Sequence, residues 1–144
     1  MIIVDSREKK WDHIRDYFEL REVPYEVKKL DTGDYYNTDN PYVVIDRKRN
    51  LDECAVNLCS KDSSRFWREL KRSKDEGIHL IFLVEHGGSI HSINDVYKWR
   101  SRYSKIKGSW IADKMFKSHV AYNVDWFFCD KRCTGKRILE ILNK

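Results

Sequence analysis

The chain has 144 residues, enough for one domain with its own core. It is 41% hydrophobic and 35% charged, with two Pro and six Gly, which excludes membrane-spanning, fibrous and linker-rich classes. Lys and Arg outnumber Asp and Glu by 28 to 23, a net charge of +5 that suits a polyanionic partner.

The first charge is Asp5, too early for a secretory leader, so a soluble, intracellular protein with no membrane association is expected. Ile2-Ile3-Val4 reads as a buried strand ending at Asp5. Trp11, Ile14, Tyr17/Phe18 and Arg21 follow a helical period, which predicts a helix over about residues 9–21, closed by Pro24. Tyr25 to Leu30 alternates as a strand with a wet edge. Asp31-Thr32-Gly33-Asp34 is a turn by composition. Tyr42-Val43-Val44-Ile45 is a second buried strand and runs into Asp46-Arg47-Lys48.

Asn50-x-x-Glu53 has the form of a capping box. Leu51, Cys54, Ala55 and Leu58 make one helical stripe after it. Asp62 or Ser63 can cap a further helix bearing Phe66, Trp67 and Leu70, with Gly77 as its stop. Leu80 to Val84 is a third buried strand. Helices are predicted at about 92–102 and 109–121, the latter with Ala112, Met115, Phe116 and His119 on one face. Val124 to Cys129 is the last strand, and Thr134 can cap a last helix with Ile138, Leu139, Ile141 and Leu142. Alternating strands and helices predict an α/β fold, a mixed central sheet flanked by helices. Cys54/Cys59 and Cys129/Cys133 are separated by four and three residues, unlike common zinc sites, and read as reduced thiols.

The chemistry concentrates in one segment. Asp46 and Lys48 are two apart at a strand end, so they share a face, about 6.6 Å apart along the strand. Asp34 precedes them at hairpin distance. Two carboxylates and an ammonium then converge. The carboxylates can hold a hard divalent cation, and the lysine can orient or deprotonate a water or stabilise charge on phosphate. That is the chemistry of metal-assisted phosphodiester hydrolysis. Any one of these residues alone would read as a solvated turn or strand end.

At Gly33-Asp34-Tyr35, Val44-Ile45-Asp46-Arg47-Lys48-x3-Asp52 and Ile3-Val4-Asp5-Ser6-Arg7-Glu8, the chain resembles the XPF-type nuclease domain, a structure-specific branch of the PD-(D/E)XK nucleases. The resemblance implies a restriction-endonuclease-like fold over 1–144 and cleavage of branched, flap or fork DNA. It further implies Mg²⁺ dependence, with Mn²⁺ able to substitute. It marks Asp34, Asp46, Lys48, Arg47, Asp5 and Glu8 as the catalytic set, with Asp34, Asp46, Asp5 and Glu8 on the metal. Arg47 alternates away from Lys48 and suits either a phosphate contact or a buried ion pair. Asp52 matches the last motif acid but also suits the first turn of a helix. Asp46 stands where the family usually has Glu, one methylene longer. The tandem helix-hairpin-helix domain of many relatives has no room in 144 residues.

Arg7 and Arg65 are candidate DNA contacts. So are Lys98, Arg100, Arg102 and Lys105, in an acid-free stretch interleaved with Tyr97, Trp99 and Tyr103. That stretch suits either a nucleic-acid grip or a charged helix face with aromatics in the core. Relatives pair through the end of the domain. Trp126, Phe127 and Phe128 with Ile138, Ile141 and Leu142 offer apolar surface for a homodimer or heterodimer. The rival reading is a non-catalytic DNA-binding or partner subunit of the same fold. The intact Asp34/Asp46/Lys48 set argues against it.

Overall fold

The computed structural model describes residues 1–61 and 63–144. Six strands form one mixed sheet: β1 (Ile2–Asp5), β2 (Tyr25–Lys28), β3 (Tyr35–Asn37), β4 (Asn40–Lys48), β5 (His79–Glu85) and β6 (Asp125–Cys129). Their order is β2-β1-β3-β4-β5-β6. β3 runs antiparallel to both β1 and β4, while the β1/β2, β4/β5 and β5/β6 pairs are parallel. The C-terminal ends of β1, β4, β5 and β6 therefore gather on one rim, with the start of β3.

Helices cover both faces. On one side lie α1 (Asp12–Leu20) and α6 (Thr134–Leu142), packed with Val4, Tyr35, Ile45, Ile81 and Leu83. On the other lie α2 (Leu51–Cys59), α3 (Ser63–Asp75), the short α4 (Ile93–Val96) and α5 (Gly108–Tyr122), packed with Val44, Leu80, Phe82, Val84 and Trp126. Period-2 alternation in β4 thus sends Asp46 and Lys48 toward the α2 side and Arg47 toward the α1 side. No helix among the described residues is long and apolar enough to cross a membrane. All four cysteines are free thiols.

Several expectations need correction. The first helix is shorter than its period, because Glu22 takes a left-handed turn (φ 55°) before Pro24. The expected cap at Asp62 lies outside the described residues, and Ser63 is already helical. Thr134 does not cap the last helix. Its hydroxyl donates to Glu85 instead, 2.5 Å away. The buried face of α5 is Ile111, Ala112, Met115 and Ser118, with Phe116 and His119 exposed. Ser118 takes the inner position because its hydroxyl accepts from Trp126 Nε1 (2.8 Å) and donates to Met115 O (2.6 Å).

The helix expected over 92–102 stops at Val96. Beyond it the chain folds into a loop closed by a bridge between Arg100 and Lys107. Gly108 seals the loop base, since a Cβ there would stand 2.0 Å from Val96 O and 2.4 Å from Trp99 O. The apolar residues expected to offer a dimer surface are in good part spent on the core of this chain. Trp126, Ile138, Ile141 and Leu142 are buried, and Phe127 and Phe128, half-buried, face opposite helix layers.

Candidate active site

Gly33 sets the geometry of the site. Its φ of 65° is left-handed, and a Cβ would stand 2.4 Å from Val44 Cγ1. The turn so formed delivers Asp34 onto β4. Asp34 N donates to Ile45 O (2.8 Å), and its Oδ2 accepts from Arg47 N (2.8 Å). The carboxyl is thereby fixed at the sheet register, opposite Asp46.

Asp46 and Lys48 share the α2 side of β4, with Lys48 Nζ 3.3 Å from Asp46 Oδ1. The ammonium sits on the aromatic core, 5.6 Å from the Phe82 ring centre and 5.9 Å from that of Phe66. Burial would push the Lys48 pKa down, but Asp46, with Glu53 behind it, outweighs burial and holds it above the ordinary lysine value. Lys48 therefore acts as a fixed positive charge. The carboxyls behave oppositely. Burial, then repulsion from Asp46 and Glu8, raises the Asp34 pKa well above the carboxylate range, against the pull of the Arg47 N–H. Burial raises that of Asp46 too, although Lys48 opposes it.

Two half-buried carboxyls, Asp46 holding up the pKa of Asp34, thus set oxygen donors side by side in the cleft. This suits a hard cation, and magnesium in particular is held by one or two carboxylates with water and substrate phosphate completing its shell. Among the described residues, no group of three His, Cys, Asp or Glu side chains is arranged to hold a metal ion. Of the four acids expected on the metal, Asp34, Asp46 and Glu8 line the cleft and Asp5 does not. Asp5 is turned away from the pair. Its Oδ1 accepts from Leu30 N (3.1 Å) and its Oδ2 from Arg7 Nε (3.2 Å).

Glu8 reaches the cleft, but its Oε2 accepts from Arg47 Nε at 3.1 Å. Arg47 is the buried ion pair of the two alternatives. Its side chain is 1% exposed. It donates to Glu8, to Glu85 Oε1 (2.6 Å) and to Lys9 O (2.5 Å). Arg7, whose side chain is 60% exposed, is occupied in holding Asp5 and Leu30 O.

The cleft measures about 290 Å³, with Asp34, Asp46, Lys48, Arg49, Glu8 and Glu53 in its wall. Sequence reasoning missed Glu53. The capping pattern predicts that its side chain turns back on the helix start, and it does reach Arg49 N (3.3 Å). The same carboxylate also lines the cleft. Asp52, the motif acid, instead hydrogen-bonds Ser101 and ties the basic loop to α2. Glu85, at the end of β5, is also a site residue that sequence reasoning overlooked. It collects Arg47, His13 and Thr134.

The repulsion at Asp34 has a measurable consequence. A carboxyl whose pKa is higher folded than unfolded holds a proton longer in the native state, so stability falls as pH rises from the ordinary carboxylate range through the raised value. Asp34→Asn keeps an acceptor for Arg47 N and removes that loss. In metal-free buffer it should raise Tm more near pH 8 than near pH 4, where the native carboxyl keeps its proton. An equal gain at both pH values in thermal melts would show that ionisation is not its source.

The basic stretch stands apart from these acids. Lys98, Arg100, Arg102 and Lys105 are all exposed, as is Arg65 on α3. The aromatics divide. Trp99 packs into the core, Tyr97 OH donates to Asp113 (3.0 Å), and Tyr103 is 86% exposed.

The ERCC4 domain family matches residues 4–139. Two solved structures of XPF from Aeropyrum pernix share the fold. One, in complex with DNA, has a TM-score of 0.71 and 19% identity, covering 99% of this chain and 62% of that one. The other has a TM-score of 0.72 and 18% identity, covering 99% and 59%. The chain thus spans about three fifths of the length of these structures. No curated protein matches it in sequence. On the match over nearly its whole length, the chain belongs to the ERCC4 domain family.

Proposed function

We propose that this chain is a divalent-metal-dependent endonuclease that hydrolyses phosphodiester bonds in branched, flap or fork DNA. The observation that carries the proposal is the convergence of Asp34, Asp46 and Lys48 in one cleft at the C-terminal rim of the sheet. Asp34 and Asp46 would hold magnesium, or manganese in its place. Such an ion supplies Lewis-acid polarisation of the phosphoryl oxygen and a lowered water pKa. Lys48, kept charged by Asp46, faces the cleft as a donor to a phosphate oxygen, stabilising charge that develops there. Glu53 faces the same space and can accept a hydrogen bond from a water.

The Arg47 side chain is committed to Glu8, Glu85 and the Lys9 carbonyl. Arg47 is a positioning residue whose backbone N–H aims Asp34 and whose side chain anchors the 7–10 turn. For the DNA itself, support comes from the structural relative in complex with DNA and from the loop carrying Lys98, Arg100, Arg102 and Lys105. Those four cations have no acid partner among the described residues. Tyr103 beside them offers a free aromatic face for a base.

The direct test incubates the purified chain with a flap, a fork and a linear duplex, each with Mg²⁺ and with EDTA. Nicking of the flap or fork in Mg²⁺ alone is expected. Replacing Arg100, Arg102 and Lys105 together by Ala should weaken binding to every substrate and reduce the log–log salt slope by roughly 0.9 for each phosphate that is no longer neutralised. Equal nicking with EDTA present, or none on any substrate with Mg²⁺ or Mn²⁺, would refute the proposal.

A further inference from the structure

Beside the cleft opens a second cavity of about 360 Å³, walled by Lys10, Arg49, Asn50 and Lys131 above the Arg47–Glu85 pair. The two spaces share Arg47 and Arg49. Their charge differs. The cleft is rich in acids, whereas the only acid of the second cavity is Glu85. That carboxylate is already engaged by Arg47 (2.6 Å), His13 (2.6 Å) and Thr134 (2.5 Å). Arg49 rests its Nε on Glu53 at 3.4 Å. Neither Lys10 nor Lys131 has a side-chain partner among the described residues.

Both lysines ride on segments that the buried network fixes. Lys10 has a left-handed backbone (φ 50°), and its carbonyl accepts from Arg47 Nη1 at 3.4 Å. Lys131 lies in a 3-10 turn capped by Asp130, and its carbonyl accepts from the backbone N–H of Thr134. Two lysines with no side-chain partner among the described residues thus line one polar cavity, and an anion entering it would meet both charges.

We infer that this cavity is a subsite for an internal phosphate of the DNA strand next to the one being cleaved. The inference rests on the proposed reading of the cleft. A strand whose scissile phosphate lies at Asp34, Asp46 and Lys48 carries its neighbouring phosphate past the shared Arg49 wall into the cationic space. Lys10 and Lys131 then fix the register of the strand, while the acids act on one bond.

The test reads binding without cleavage. A labelled flap oligonucleotide in EDTA is followed by fluorescence anisotropy, with one phosphate at a time replaced by a neutral methylphosphonate and with the 5′ end phosphorylated or free. The variant is Lys10→Gln with Lys131→Gln, chosen because Gln keeps a long polar side chain at both positions while removing the charge. Neutralising one internal phosphate should weaken wild-type binding roughly tenfold, the worth of a charge-assisted hydrogen bond. The variant should bind the unmodified flap roughly tenfold more weakly, with a salt slope lower by about 0.9, and should be indifferent to methylphosphonate at that one position. Wild-type affinity and an unchanged methylphosphonate profile in the variant would overturn the subsite. Sensitivity that follows the 5′-terminal phosphate and no internal one would overturn the internal assignment. Failure of the nuclease reading looks different: the position-specific profile would be present, and no cleavage would follow when Mg²⁺ is restored.

Discussion

Asp46→Asn should leave a folded protein that nicks flap DNA at least a thousandfold more slowly than wild type. At ~1.4 kcal/mol per decade, that loss is about 4 kcal/mol of transition-state stabilisation, within what a metal-held charge supplies. The substitution is nearly isosteric, so the shape of the cleft survives. It removes one of two carboxylates able to hold a cation, and it strips Lys48 of the partner 3.3 Å away. The side effects on stability oppose each other. Lys48 loses its counter-charge on the aromatic floor, while Asp34 is freed from a repelling neighbour. Circular dichroism and a urea titration alongside single-turnover kinetics would separate unfolding from lost chemistry. Wild-type cleavage by a folded Asp46→Asn protein would show that the chemistry lies elsewhere.

Arg47→Ala should be the most damaging single truncation of stability at this rim, at about 3–5 kcal/mol. Its guanidinium is shared by two carboxylates, Glu8 and Glu85, and by the carbonyls of Lys9 and Lys10. Removing it leaves those acids inside the protein with no cation between them. A whole domain is stable by only about 5–15 kcal/mol, so the loss should appear as a Tm drop of roughly 10 °C or more. Arg15→Ala is the control. It deletes the same chemical group from an exposed pair with Asp12 and should cost less than about 1 kcal/mol. Urea titrations in which the two variants fall within about 1 kcal/mol of each other would show that burial of Arg47 carries no such weight.

How far this site was legible in the sequence depends on the distance over which each residue is determined. The strands were plain, because Ile2–Val4, Val43–Ile45 and Leu80–Val84 are apolar runs that need burial on both sides. The α2 stripe and the Asp46/Lys48 face follow from local periodicity alone. Asp5 did not yield to that logic. Its partner is the backbone N–H of Leu30, 25 residues away, and nothing near Asp5 announces it. The stretch after Val96 carries apolar residues at helix-like spacing. There Ser101 Oγ accepts from the amides of Tyr103 and Ser104 and also bonds Asp52, so the chain is drawn into a loop. The aromatic run of β6 reads as surplus surface because sequence predicts helices flanking the sheet without showing which of them cover Phe127 and Phe128. Arg47 could be placed on the face opposite Lys48, but its choice of ion pair over phosphate depended on Glu85, which comes from another strand.

Asn37 has a consequence for engineering. Its Oδ1 accepts from the terminal amine of Met1 at 3.3 Å, and its Nδ2 donates to Asn143 Oδ1 at 2.8 Å. Met1 and Asn143 thus meet on one side chain, at the tip of the β3–β4 hairpin and the far pole of the sheet from the cleft. Replacing Asn37 by Leu would release both at once and should speed amide hydrogen exchange around them, while the protons of β4 and β5 stay slow. That pole is therefore a place where rigidity can be tuned without moving the acids.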